Sequence, residues 1–338
     1  MPEFALFIAV VAAAIGLGFV NGLNDAANAV AASIGSRALS PRNGIILAAF
    51  CNLAGAATGL EVARTIGKGI LDPGVVTSLP EAAAFSIVIA ALAAAIIWGA
   101  VATRLGLPVS ITHGLVTGLA AAGVAVVGFE AVVWHVLGRI ATSVVAAPVL
   151  GFVGGFALMV VLLWVFRRSA PSRMRVAFSR LQWLTTAFLA YSHGKNDGQM
   201  PIGLITMALV YHTGKVELWD GIPWWVIAVS ASSISLGTLI GGWRVIKTVG
   251  IKITALQPIH GFATQAAAAS VIEIASHLGI PVSTTHCATA ATMGVGATRR
   301  LSAVKWGVTR NIVLAWLLTF PICAALGWLI ASLLKLAL

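Results

Sequence analysis

Charge is what this sequence has least of. Only 9% of its 338 residues are Asp, Glu, Lys or Arg, against roughly 25% in a soluble globular chain. So few charges cannot clothe a water-soluble body of this length, which excludes an ordinary soluble domain and makes lipid the main solvent. Acids are rarer still, 10 against 21 basic residues. The resulting net charge of +11 would suggest a nucleic-acid partner in a soluble protein. Here the bases stand in short loops between apolar runs, where they report topology, so no nucleic acid is expected. There are three cysteines, Cys51, Cys287 and Cys323. None has a CxxC or Cys/His spacing, which excludes a disulfide framework or a zinc set. The first residues, Met1-Pro2-Glu3, lack the positive start of a secretory signal, so the first apolar segment is expected to be retained as a span.

What is abundant is apolar: 59% of the chain is hydrophobic, mean hydropathy is +0.99, and 35 glycines occur without a period. Such glycines suit helices packed closely in a bilayer. The expected fold is an all-α polytopic membrane protein, multi-pass in a cell membrane, of the bacterial or archaeal inner-membrane kind.

The chain also repeats itself. Asn21-Gly22-Leu23-Asn24-Asp25 returns 172 residues later as His193-Gly194-Lys195-Asn196-Asp197. Pro108-Val109-Ser110-Ile111-Thr112-His113 returns 173 residues later as Pro281-Val282-Ser283-Thr284-Thr285-His286. Two unrelated motifs recurring in order at nearly one offset predict two homologous halves. The boundaries expected are 1–166 for the first transmembrane repeat, 167–180 for a linker and 181–338 for the second repeat. The linker carries Arg167, Arg168, Arg173, Arg175 and Arg180 without an acid, which predicts a cytoplasmic location. An odd number of crossings in the first half would insert its copy upside down, giving an inverted repeat. Several apolar runs are too short or too glycine-rich for a plain span. The segments carrying the motifs, about 21–36, 108–118, 193–203 and 281–296, are therefore expected to be interrupted or re-entrant helices lining a cavity.

An acid in hydrocarbon costs at least ~2.5–3.5 kcal/mol, so an intramembrane carboxylate is a candidate for function. Asp25 and Asp197 recur in the duplicated motif. Asn24 and Asn28 lie beside Asp25, an oxygen-rich set suited to a hard cation such as Na+. Ser110 and Thr112, with Ser283, Thr284 and Thr285, follow prolines where new apolar segments start. Helix starts offer free N–H groups and a positive dipole end, so these hydroxyls predict an anion site, with plain capping as the alternative. His113 and His286 stand second in rank, as do Gln265 and Glu273, eight residues apart on one apolar segment. Two carboxylates beside a bare dianion would repel. The site therefore requires Na+, protons, or a divalent metal bound to the anion; a resident metal is left unassigned and no cofactor is expected. A carboxylate also favours phosphate, whose P–OH can donate to it, over sulfate.

These paired motifs resemble those of the inorganic phosphate transporter (PiT) family over about residues 10–335. The resemblance implies a symporter of inorganic phosphate, surrounded by lipid and assembled as a homodimer. It places phosphate and cation binding on Asn24, Asp25, Asn28, Asn196 and Asp197 with the two Ser/Thr segments. The second half departs from the first: Met200 stands where Asn28 would recur, Gln199 is its nearest oxygen ligand, and Lys195 adds a fixed charge. This favours H+ over Na+ as coupling cation, with a metal-phosphate complex as a further form of the cargo. A sulfate permease, an anion channel and a membrane-embedded enzyme are the alternatives. A duplicated site weighs against the enzyme, as does the lack of a Gly-rich phosphate loop or HExxH.

Overall fold

The structure, a computed structural model, describes residues 2–337. Fourteen α-helices follow one another. In the first half they are α1 (Pro2–Gly35), α2 (Pro41–Ala56), α3 (Glu61–Gly69), α4 (Pro73–Thr77), α5 (Glu81–Leu105), α6 (Ile111–Val126) and α7 (Trp134–Val165). In the second they are α8 (Pro171–Asp197), α9 (Gln199–Thr213), α10 (Trp224–Ile240), α11 (Trp243–Lys247), α12 (Pro258–His277), α13 (Thr284–Ala297) and α14 (Trp306–Ala337). A π-helical turn, Thr248–Lys252, prolongs α11. Among the described residues there is no strand.

Four helices, α1, α5, α7 and α14, are each long and apolar enough to cross a membrane. The pairs α2/α3 and α10/α11 pass that test only together, bent by 65° and 61°. The bends are written locally: Thr58-Gly59 breaks the first pair and Gly241-Gly242 the second. The outer surface is apolar. Val145, Val149, Val153 and Val161 on α7, with Leu314, Leu317 and Leu318 on α14, stand exposed. In water each would forgo ~1.5–3 kcal/mol of burial, whereas against acyl chains such a surface is the stable one.

The protein interior holds the polar residues. α5 folds back on α6, and α12 on α13, through short tips. Gly106 and Gly279 stand at these tips with φ of 73° and 64°, a left-handed conformation that a side chain would strain. The outer helices close over these hairpins in the same way in both halves: α14 lies on α6, and α7 on α13. Both outer helices contain a proline, Pro148 and Pro321.

Several contacts recur in pairs. Trp134 Nε1 donates to the Phe129 carbonyl at 3.0 Å and Trp306 Nε1 to that of Leu301 at 2.8 Å. Val133 N bonds to Ile70 O, and Lys305 N to Ile253 O, both at 2.9 Å. Gly22 lies against the backbone of Ile234, and Gly194 against that of Asn52, so close that a Cβ at either position would meet a carbonyl. These two glycines let α1 approach α10 and α8 approach α2.

One local expectation is corrected. α1 runs unbroken through residues 21–35, and α8 carries the second motif to Asp197 before a single break at Gly198. The breaks beside the site are the hairpin tips before α6 and α13. The reason is physical: the Asn-Asp motifs present side chains rather than open backbone, so the helical hydrogen bonds need not be surrendered.

Candidate functional site

Asp25 on α1 and Asp197 on α8 meet at the centre, both almost completely buried. Between them stands the His193 ring, whose Nε2 is 3.7 Å from Asp25 Oδ2 and 3.3 Å from Asp197 Oδ2. One ligand atom from each residue lies within 4.8 Å of the others. Two carboxylate charges at that separation repel by roughly 3 kcal/mol at an effective dielectric near 20, which favours a positive group between them or a proton on one of them. His193 reaches its place by helix geometry, four residues before Asp197 on one face of α8.

The ring is oriented from behind. Its Nδ1 is 2.9 Å from Asn52 Oδ1 on α2. Asn52 Nδ2 donates to Thr238 Oγ1 on α10 at 2.8 Å, and the Thr238 hydroxyl donates to the Ile234 carbonyl at 2.9 Å. Because the Thr238 proton goes to Ile234, its oxygen must accept from Asn52. Asn52 therefore turns Oδ1 to the ring, and His193 Nδ1 carries a proton.

Hydroxyls from the two hairpins complete the ring of contacts. Thr285 Oγ1 donates to Asp25 Oδ1 at 2.7 Å, Thr284 Oγ1 to Asp197 Oδ2 at 2.9 Å and Thr112 Oγ1 to Asp197 Oδ1 at 3.4 Å. Asn28 Nδ2 reaches Thr285 at 2.9 Å and Thr284 at 3.3 Å, joining the two acids through their hydroxyls. Its Oδ1 is buried without a partner. Ser110 and Ser283 cap α6 and α13, accepting from the His113 and His286 amides at 3.2 and 3.1 Å. With Pro108 and Pro281 shortly upstream, these serines start two helices whose first turns face the acids.

Asn24 and Asn196 hold the hairpin tips. Asn24 Nδ2 donates to Thr103 Oγ1 at 2.9 Å and to the Leu107 carbonyl at 3.2 Å. In either orientation of its amide, Asn196 bonds Ser276 at 3.0 Å and a tip carbonyl, that of Ile280 or of Val282.

Lys195 and Gln199, expected beside the coupling cation, have their polar ends turned to other partners. Lys195 Nζ lies 2.5 Å from Glu273 Oε1 and 3.4 Å from His277 Nε2. Gln199 accepts from the Ala63 amide at 3.0 Å and donates to the Lys195 carbonyl at 2.6 Å. Gln265 ties α12 to Thr185, Thr186 and the Ala29 carbonyl. Met200 is packed in the hydrophobic core. His113 and His286 sit edge to face with ring centres 5.0 Å apart, against Phe320 and Trp316. Their ring nitrogens have no partner.

Sequence reading passed over His193, Asn52 and Thr238. His193 stands in the duplicated motif, but its counterpart is Asn21, so the recurrence test did not select it. Asn21 itself is buried with neither amide atom partnered. The available signal was the i, i+4 spacing of His193 and Asp197.

Comparison with known proteins gives the family. The model of the phosphate transporter family matches residues 21–327. A protein of Rhizobium meliloti (strain 1021), described as "Probable low-affinity inorganic phosphate transporter", is 41% identical over 325 residues, 96% of this chain and 95% of its own. One of the same description from Bacillus subtilis (strain 168) is 38% identical, over 95% of both chains. A solved structure titled "The sodium-dependent phosphate transporter" superposes with a TM-score of 0.87 at 30% identity, covering 99% of this chain and all of that one. These relatives are transporters rather than enzymes, and the helices here are those of a multi-pass membrane protein. The chain belongs to the phosphate transporter family.

Proposed function

We propose that this protein is a secondary active symporter that moves inorganic phosphate with protons, the coupling proton residing on His193 Nε2 between Asp25 and Asp197. The observation that carries the reading is the bond chain Ile234–Thr238–Asn52–His193. With Nδ1 already protonated, Nε2 meets the carboxylates with either a lone pair or a proton. A lone pair would be repelled by both. A proton there makes the ring a cation that offsets one carboxylate charge, at 3.3 Å from Asp197 and 3.7 Å from Asp25. Phosphate would be held by Thr112, Thr284 and Thr285, by the Ser110 and Ser283 hydroxyls and by the first-turn amides of α6 and α13. Its P–OH would donate to Asp25 or Asp197, which disfavours sulfate.

Every one of these residues is at most 3% exposed, so the arrangement corresponds to a closed site reached only by moving one end of the protein. The paired contacts support two halves, 1–166 and 181–338, joined by the 167–180 linker and related as an inverted repeat. In that reading one set of hairpin and broken helix opens each end in turn.

A second reading has Na+ as the coupling ion. It is favoured by the sodium-dependent structure of similar fold and by the unpartnered oxygens of Asn28 and Asn21, which suit a hard cation. Radiolabelled phosphate uptake into proteoliposomes separates the two. An inward proton gradient is expected to drive concentrative uptake in choline medium without Na+. Uptake that vanishes there and returns with Na+ at constant pH would overturn proton coupling.

A further inference from the structure

We propose that the cavity between the end of α1, residues 162–175 and the segment before α12 binds the headgroup of an anionic membrane phospholipid. The cavity encloses about 700 Å3, within the ~300–1,000 Å3 of small-molecule sites. Arg37, Arg167 and Arg175 line it, and no carboxylate does. Among the described residues none of these three arginines forms an ion pair. A second cavity shares Thr254 and Ala255 with the first and adds Arg299, Arg300 and Lys305.

Topology alone accounts for basic loops on one side of a membrane protein, but not for a buried, unbonded hydroxyl among them. Thr254 is 2% exposed, its hydroxyl has no partner, and it lines both cavities. A buried hydroxyl left without a bond is costly unless something fills it. Arg37 has φ of 61°, the one non-glycine residue in the left-handed region among those described. This turn closes the end of α1, with Ala38 N bonded to the Ser33 carbonyl at 2.9 Å, and it brings Arg37 to the cavity.

The occupant is a lipid because the arginines stand beside exposed apolar side chains of the same wall. Leu163 and Ile251 are 47% and 56% exposed, with Phe166 and Ile259 behind them. The Arg167 guanidinium lies 5.1 Å above the Trp164 ring, and exposed tryptophans mark the membrane–water interface. A soluble anion would use the arginines and leave this wall bare. A phospholipid uses both, phosphate on the charges and an acyl chain along the wall.

The test uses the full-length protein in a neutral detergent. Its thermal unfolding midpoint is titrated with dioctanoyl phosphatidylglycerol, dioctanoyl phosphatidylcholine or glycerol 3-phosphate. Phosphatidylglycerol alone is expected to raise the midpoint saturably. The variant R37Q/R167Q/R175Q should need on the order of a hundred-fold more of it, and Thr254→Val about ten-fold more. If the triple variant does not fold, Arg167→Gln and Thr254→Val carry the test. Equal stabilisation by phosphatidylcholine overturns the proposal, as does an unchanged titration of the variants. A shift reproduced by glycerol 3-phosphate would make this a soluble-anion site. Cross-linking of two copies through Leu163→Cys would make it a contact between protomers; either result overturns the lipid.

Discussion

Asn52 Oδ1 and His193 Nδ1 lie 2.9 Å apart, and the bond from Asn52 Nδ2 to Thr238 turns the amide oxygen toward the ring. An amide on a helix outside the acid pair thus decides how the imidazole presents itself to Asp25 and Asp197. Asn52→Leu removes that restraint. Phosphate uptake should fall roughly ten-fold, the net worth of about one hydrogen bond plus the imidazole nitrogen left without its partner. The pH at half-maximal uptake should move, whereas a purely structural loss would lower uptake at every pH alike. His193→Gln is expected to abolish proton-driven uptake.

Asp25→Asn and Asp197→Asn should each nearly abolish uptake while the protein still elutes as one folded species. Each removes a charge that the opposite acid, His193 and a threonine hydroxyl are arranged around. Near-normal uptake by either variant would remove that acid from the site.

The threonines of the two hairpins are not equivalent. Thr285 reaches Asp25 at 2.7 Å, but Thr112 reaches Asp197 only at 3.4 Å, and hydrogen bonds weaken as they lengthen. Thr285→Val is therefore expected to reduce uptake more than Thr112→Val. Side-by-side initial rates at saturating phosphate check the order.

Gly22→Ala and Gly194→Ala should destabilise the fold by about 1–3 kcal/mol, because each new methyl would press on a backbone carbonyl of the facing helix. Gly138→Ala is the control: a Cβ there meets nothing within 4 Å. Unfolding midpoints in detergent should drop for the first two and hold, or rise slightly, for the third.

A cysteine in place of Ser172 should resist membrane-impermeant thiol reagents in whole cells and react after permeabilisation. Ready labelling from outside would reverse the orientation assigned to the arginine-rich linker.

Much of the molecule could be read before its coordinates. Asp25, Asp197, Thr112, Thr284 and Thr285 are brought together, and the recurring motifs had singled out all five. What escaped detection shares a physical cause. Asn52 and Thr238 stand in mainly apolar helices, with Ala48 and Ile234 one turn before them, and neither recurs in the other half. Their meaning arises only when α2 and α10 cross. The same holds for Lys195. In the sequence it stands two residues from Asp197 and reads as a counter-charge, yet α12 supplies Glu273 from across the packing interface and captures it. The continuity of α1 was missed because polar residues at membrane depth suggested open backbone. The hairpin tips, where backbone does open, are marked instead by Gly106 and Gly279.

The Lys195–Glu273–His277 cluster has no twin. The positions that the duplication aligns with it hold Leu23, Ala100 and Arg104, which cannot form such a set. Near symmetry of scaffold would by itself make opening toward either side equally easy. If opening one end parts this ion pair, which has no equivalent at the other, that equality is lost. In the alternating-access reading, each 1.4 kcal/mol by which the pair holds one end shut tilts the resting population ten-fold toward the state open at the other. On that reading three residues, rather than the shape of the fold, decide which side the unloaded protein faces.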